Sequence, residues 1–301
     1  MTLTPRLALM LTVPPLMWAA NAVVGRLMAP SVPPLLLNGL RWSLVFLLLL
    51  PLAWRVLSEP AALLARWRHL AVVGLLGMGS YNALQYQALR SSSALNVTLI
   101  AASMPVWMLA VGALRYGIRP TRQQLLGALL SLLGVAFVIA RGSLANLAAV
   151  QFVAGDLLML LALLCWALYS WMLARPPAHL QGEQRPAWNW AGTMMSQLVF
   201  GLGFALLFAG IEQGYTTQPV VWGPGLAAAL FFVAIGPSLI AYRCWGQGVA
   251  EAGPALAAFF NNLTPVFAAL MSAALLGEWP QWFHGAAFVL IVAGIVVSSR
   301  R

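Results

Sequence analysis

Apolar residues run through this chain in stretches of about 20, the length a helix needs to cross a bilayer, and the breaks between them are short. The pattern predicts helices over 7–28, 33–54, 69–89, 93–114, 122–141, 154–174, 190–211, 224–248, 252–275 and 281–299. The junctions at Pro30–Pro34, Gly117–Pro120, Arg175–Pro186 and Gly253–Pro254 are the best marked. The first run follows Arg6 and reaches Ala19–Ala20 as a secretory leader would, but it continues to Met28, long enough to span, and is read as the first helix. The expected fold is an all-α integral membrane protein of ten transmembrane helices.

Sliding the chain against itself by 160 residues aligns Gln87 with Gln247, Pro105-Val106 with Pro265-Val266, Ala113 with Ala273, Gly117 with Gly277, Pro120 with Pro280 and Gly134 with Gly294. At the start of each half, Trp18-Ala19 matches Trp166-Ala167 at an offset of 148. The chain therefore divides into a five-helix repeat over 1–142, a linker over 143–153 and a second repeat over 154–301. Five is odd, so the second copy enters the membrane from the opposite side. Inverted repeats of this kind supply two nearly equal packings of the same parts, an arrangement suited to exposing a central site to each side in turn. Duplication in a purely structural membrane protein is the alternative.

Composition supports lipid as the solvent: 62% of the 301 residues are hydrophobic and 7% are charged. The net charge of +10 comes from sixteen Arg with no Lys, and its placement argues against nucleic acid as a partner. With the N-terminus in the cytoplasm, the cytoplasmic segments collect Arg6, Arg55, Arg66, Arg68, Arg115, Arg119, Arg122, Arg175, Arg185, Arg300 and Arg301. The other side holds only Arg26, Arg90 and Arg141, so both termini are expected in the cytoplasm. His69, His179, His284, Cys165 and Cys244 are too scattered for a metal site or a disulfide framework, and no cofactor is expected. Without Lys there is no phosphate-binding loop of the Walker type, and no connection is long enough for a nucleotide-binding domain, which argues against ATP drive.

The order of Trp18-Ala-Ala-Asn21, Asn38-Gly-Leu-Arg41, Ala94 through Met104-Pro105-Val106, Trp166-Ala-Leu-Tyr169, Thr264-Pro265-Val266 and Leu276-Gly277-Glu278-Trp279-Pro280 resembles the drug/metabolite transporter superfamily. Within it, the chain is similar to the EamA-type ten-helix exporters, over nearly its whole length. The resemblance implies export of small metabolites across a bacterial inner (plasma) membrane. The abundance of Trp and Tyr is similar to the YddG-type exporters of aromatic and other neutral amino acids. The family's Glu after the fourth and ninth helices survives as Glu278 but is Ile118 in the first half, so a symmetric role for it is not expected.

A transport cavity needs polar and aromatic side chains at mid-membrane depth, where polar groups facing lipid are costly. The candidates for substrate binding are Trp18, Asn21, Tyr81, Gln85, Asn96, Thr98, Trp107, Trp166, Tyr169, Tyr242, Trp245, Asn261 and Asn262, with Ser170 beside them. Tyr81 and Gln85 are four apart and share a helix face, as do Trp166, Tyr169 and Ser170. Rings stack on a planar ligand or face an ammonium group, while amides and hydroxyls hold its polar ends. The paired Pro105 and Pro265 fall mid-span, where each removes a backbone hydrogen bond; a kink there suits a hinge. Arg41 and Arg243 lie inside predicted helices: Arg41 either snorkels or meets a substrate carboxylate, and Arg243 either pairs with Glu251 or does the same. Glu59, Asp156, Glu183, Glu212, Glu251 and Glu278 stand at helix ends or in connections, which favours facilitated movement over proton antiport. The partners expected are therefore a small-molecule substrate, amino acid or similar metabolite, and the lipid bilayer, with a single chain sufficient. Proton-coupled export of other metabolites or drugs is the first alternative and a scaffold subunit the second. No nucleophile–base pair, carboxylate pair or ligand cluster marks an intramembrane enzyme.

Overall fold

The computed structural model describes residues 3–92, 100–101, 103–140, 142–148, 153–276 and 281–299. Every regular element among them is helical. Helices α1 (Pro5–Met28), α2 (Pro34–Ser58) and the short α3 (Pro60–Leu64) lead into α4, which runs through Trp67–Gly74, a π-helical stretch Leu75–Ser80 and Tyr81–Ser91. Then come α5 (Met104–Tyr116), α6 (Arg122–Ile139), the single turn α7 (Leu144–Ala148), α8 (Ala154–Ala174) and α9 (Trp190–Gln213). Helix α10 (Pro224–Ala252) carries a second π-helical stretch at Ala234–Ile240, and α11 (Pro254–Asn261), α12 (Thr264–Leu276) and α13 (Trp282–Ser299) close the chain. Among the described residues, five segments are long and apolar enough to cross a membrane on their own: Pro5–Gly25, Pro34–Ser58, Ala154–Ala174, Trp190–Gln213 and Pro224–Ala252. The helices at the other predicted spans are shorter, interrupted, or only partly among the described residues.

The punctuation follows local chemistry. Helices α1, α2, α3, α10 and α11 begin on a proline and α5 carries one at its second position, where the missing amide is harmless in the first turn. Gly117 ends α5 in the left-handed region at φ 66°, with its own amide and that of Ile118 donating to the Ala113 and Gly112 carbonyls. Gly253, at φ 82°, turns the chain between α10 and Pro254. Pro105 and Pro265 differ from expectation. Neither bends a continuous helix; Pro105 opens α5 after a turn at Ser103, and Pro265 is the second residue of α12 after the turn at Asn262–Leu263. A proline is accommodated more cheaply in a first turn than in a helix interior, so a break displaces the kink. Near Asn262, the freed groups are satisfied by tight bonds, Asn262 N to Phe259 O and Leu263 N to Phe260 O.

The helices are apolar on both sides, as a bilayer requires. Trp42, Val45, Leu49, Met78, Met159, Leu163 and Phe259 form part of one continuous interior, while Leu9, Leu114, Leu157 and Val289 face outward. Packing between elements is reciprocal: α1 lies against α10 and α12, while α8 lies against α4 and α5. Likewise α2 crosses the π stretch of α10 and α9 that of α4, α2 runs along α9, and α6 runs along α13. These contacts are close where glycines allow it. A Cβ on Gly74 would stand 2.5 Å from Gln197 O and one on Gly294 2.7 Å from Gly127 O, so backbone meets backbone at both crossings. Gly74, Gly77, Gly79, Gly201 and Gly248 stand at close contacts of this kind, whereas a Cβ on Gly203 or Gly246 would meet nothing within 4 Å.

Candidate substrate cavity

Four helices, α1, α4, α8 and α10, deliver six of the sequence-predicted side chains to one place. Trp166 is its centre, with ring centroids 5.2 Å from Trp18, 4.8 Å from Tyr81, 5.1 Å from Tyr169, 5.4 Å from Tyr242 and 5.5 Å from Trp245. Most of these contacts are edge-on or tilted, the arrangement that ring quadrupoles favour. Trp166, Tyr169, Tyr242 and Trp245 are buried; Trp18 and Tyr81 are half-buried. The spacing on α8 that predicted a shared face is realised, and Ser170 accepts from Trp245 Nε1 at 3.1 Å.

The two π stretches hold this cluster. A π turn leaves carbonyls out of register with the helical ladder, free to accept from elsewhere. Tyr242 donates its hydroxyl proton to Gly77 O at 2.6 Å, Asn38 Nδ2 donates to Met78 O at 3.2 Å, and Trp18 Nε1 donates to Pro237 O at 3.1 Å. Each bond joins helices that are distant in sequence. Pro237, which has no amide, sits inside the second π stretch, where a regular helix would lose a bond anyway.

Tyr169 and Tyr242 also form the floor of a cavity of about 500 Å³. Its walls include Met194, Gln197, Thr193 and Gln247, and its mouth lies beneath the 175–189 connection, with His69, Arg185, Trp190 and Arg243 around it. Arg243 is exposed and lies over the Trp190 ring at 4.4 Å, rather than pairing with Glu251. No acidic side chain lines this vestibule among the described residues. Arg66 ties the connection down, donating from Nε to His179 O at 2.9 Å and from Nη2 to Gln184 O at 2.8 Å. The volume is in the range of small-molecule sites, and the arrangement can hold a ligand with an aromatic or apolar body and polar ends.

The remaining predicted residues are dispersed. Gln85 is half-buried one turn beyond Tyr81, and buried Asn21 donates from Nδ2 to the Tyr86 hydroxyl at 3.4 Å. Trp107 stands apart from the cluster and donates to Ser103 Oγ at 3.1 Å. Asn261 and Asn262 lie at the α11–α12 turn, Asn261 accepting from Thr264 Oγ1 and Asn262 buried. Asn96, Thr98 and Glu278 lie outside the described residues. Arg41 does not snorkel: it is 1% exposed. Of the acids, Asp156 and Glu212 do stand at helix ends, but both are fully buried. Asp156 accepts from Val153 N at 2.7 Å and from Ser92 Oγ, and Glu212 accepts from Leu36 N at 2.9 Å, so both act as helix caps. Sequence reasoning missed Trp42, whose ring lies 5.0 Å from that of Tyr242, along with Asn38, Tyr86 and Gln197. The one signal for Trp42 was its place beside Arg41.

Comparison with known proteins bears on the family and the fold. A model of the EamA-like transporter family matches residues 6–140 and again residues 153–300. An uncharacterized transporter of Archaeoglobus fulgidus is 26% identical over 298 residues, 97% of each chain. A Salmonella typhimurium protein named a probable amino-acid metabolite efflux pump is 27% identical over 292 residues, 93% of this chain and 90% of its own. A protein of known crystal structure superposes with a TM-score of 0.75 at 22% identity, over 97% of this chain and 96% of its own, a likeness of fold.

Proposed function

Since the chain belongs to the EamA-like transporter family and is a multi-pass transporter of the inner membrane, we propose that it exports aromatic and other neutral amino acids by alternating access. The substrate path runs between two inverted five-helix repeats, 1–142 and 154–301, which together make ten transmembrane helices with both termini in the cytoplasm. The twofold family match and the reciprocal packing support that division. So does the π stretch of α4, which at an offset of 160 corresponds to 235–240 within that of α10.

One observation carries the substrate reading: the Trp166-centred ring cluster, drawn from both repeats, reaches through Tyr169 and Tyr242 into a cavity of about 500 Å³ whose mixed apolar and polar lining holds no acid among the described residues. Rings offer an aromatic or apolar side chain its body, and amides, hydroxyls and guanidinium groups serve the zwitterionic end. On the cytoplasmic assignment of the 175–189 connection, the cavity of this conformer opens to the cytoplasm. Export follows when the repeats exchange conformations, with the breaks before Pro105 and Pro265 as hinges.

Uptake of labelled Trp, Phe, Thr and Met into liposomes holding the purified protein tests this, with and without a pH gradient. Saturable flux indifferent to the gradient is expected. Absence of flux for all four overturns the amino-acid reading, and flux that tracks the gradient overturns facilitated movement in favour of proton coupling.

A further inference from the structure

Arg41 is the largest charged side chain in the interior, and its surroundings leave it incompletely satisfied. Its Nε donates to Ser238 Oγ at 2.5 Å, and Ser238 Oγ donates in turn to Val233 O at 2.6 Å, within the second π stretch. The guanidinium carbon lies 5.1 Å from the centre of the Trp42 ring. Nη1 has no hydrogen-bond partner. The acids among the described residues stand elsewhere: Glu212 caps the first turn of α2 through Leu36 N, Asp156 caps α8, and Glu59, Glu183 and Glu251 are exposed. A desolvated cation without a counter-charge opposes folding strongly, and within a bilayer such a group marks a substrate or ion path.

Its position relative to the cavity gives it a use. Tyr242 lies one turn beyond Ser238 on α10, packs its ring 5.0 Å from that of Trp42 and is part of the vestibule floor. One side chain, Tyr242, thus touches both the vestibule and the layer that holds Arg41. Arg185 and Arg243 stand in the vestibule itself, giving the route a positive potential from the mouth inward.

Resting on the transport reading above, we infer that Arg41 is the counter-charge for the substrate's carboxylate and sets specificity for molecules that carry one. When Tyr242 leaves the Gly77 carbonyl, the carboxylate reaches Nη1 while the apolar part stays on the Trp166 cluster. A guanidinium suits this role because its planar fork meets both oxygens of a carboxylate.

The test compares each amino acid that moves in the liposome panel with its own primary amide, in wild type, Arg41→Gln and Arg41→Lys, with monodispersity and helicity checked for each variant. Wild type is expected to favour the acid over the amide by about tenfold or more, as for a charge-assisted pair. In Arg41→Gln the preference falls toward unity through loss of acid flux, and Arg41→Lys retains part of it. A wild type that moves acid and amide equally overturns the inference whatever the variants do. So does a folded Arg41→Gln that keeps the full preference, while in both cases amino-acid transport itself stands. If wild type moves none of the panel, the amino-acid reading fails and this inference falls with it.

Discussion

The crossing of α4 and α9 offers a perturbation whose size follows from distances. A methyl placed on Gly74 stands 2.5 Å from Gln197 O and 2.7 Å from Gly201 N, where ordinary contact begins near 3.4 Å. Both neighbours are backbone, so no side chain can swing away, and the two helices must part by about 1 Å. Dispersion falls by a quarter to a half over a gap of 0.5–1 Å, and over-packing of this kind costs about 1–3 kcal/mol. Gly74→Ala is therefore expected to lower the midpoint of thermal unfolding in detergent by roughly 2–10 °C. Gly203→Ala is the control on the same pair of helices: a Cβ there meets nothing within 4 Å, and the change from Gly favours the helix by up to about 1 kcal/mol. Fluorescence-monitored unfolding of the two variants beside wild type reads the difference. Equal midpoints for Gly74→Ala and Gly203→Ala would falsify the close backbone crossing and, with it, the way the first π stretch is pinned.

Three further outcomes are expected. Trp166→Phe raises KM for an aromatic amino acid about two- to tenfold, the loss of one ring contact of roughly 0.5–1.5 kcal/mol, whereas Trp107→Phe leaves it unchanged because Trp107 bonds to Ser103 away from the cluster; the liposome assay separates them. Tyr242→Phe keeps the ring but deletes the 2.6 Å bond to Gly77 O, worth about 1 kcal/mol, and shifts the conformational equilibrium about fivefold toward the state with the floor parted, read by spin-label distances across it. Asp156→Asn weakens a helix cap by about 1 kcal/mol, lowering thermal stability while leaving the pH profile of flux as in wild type; a flattened profile would assign Asp156 a proton instead.

Much of this architecture was legible because lipid leaves a strong periodic signature. Long apolar runs marked α1, α2, α8, α9 and α10, with the ends of α2 and α10 lying four residues beyond the predicted 54 and 248, and Gly117 and Gly253 marked turns because they stand where φ is positive. The aromatic cluster was legible too, since Trp166 and Tyr169 on α8 and Tyr242 and Trp245 on α10 are each three apart and share a helix face. The breaks at Ser103 and Asn262 were not: composition reads Pro as a defect within a helix, whereas here the chain stops and restarts around it. The π stretches were equally hidden, because Leu75–Ser80 and Ala234–Ile240 differ from their flanks only in Gly, Ser and one Pro. Trp107 failed for a related reason, as a preceding turn rotates the face it presents.

The hidden π stretches connect the repeat to the mechanism. Under the two-repeat reading, Trp18 and Trp166 are counterparts, as are Gly77 and Pro237. In this conformer, Trp18 Nε1 donates to Pro237 O, but Trp166 Nε1 has no partner, because the matching carbonyl, that of Gly77, is taken by the Tyr242 hydroxyl. The departure from symmetry therefore lies at one acceptor. Exchange of the two repeats' conformations lets Trp166 donate to Gly77 O, releases Trp18 from Pro237 O, and frees Tyr242, the residue that separates the vestibule from Arg41. At the same offset of 160, Asn82 is the counterpart of Tyr242, so the two carbonyls keep two hydrogen bonds in the exchanged state only if Asn82 donates to Pro237 O, and that condition is what would hold the two states close in energy.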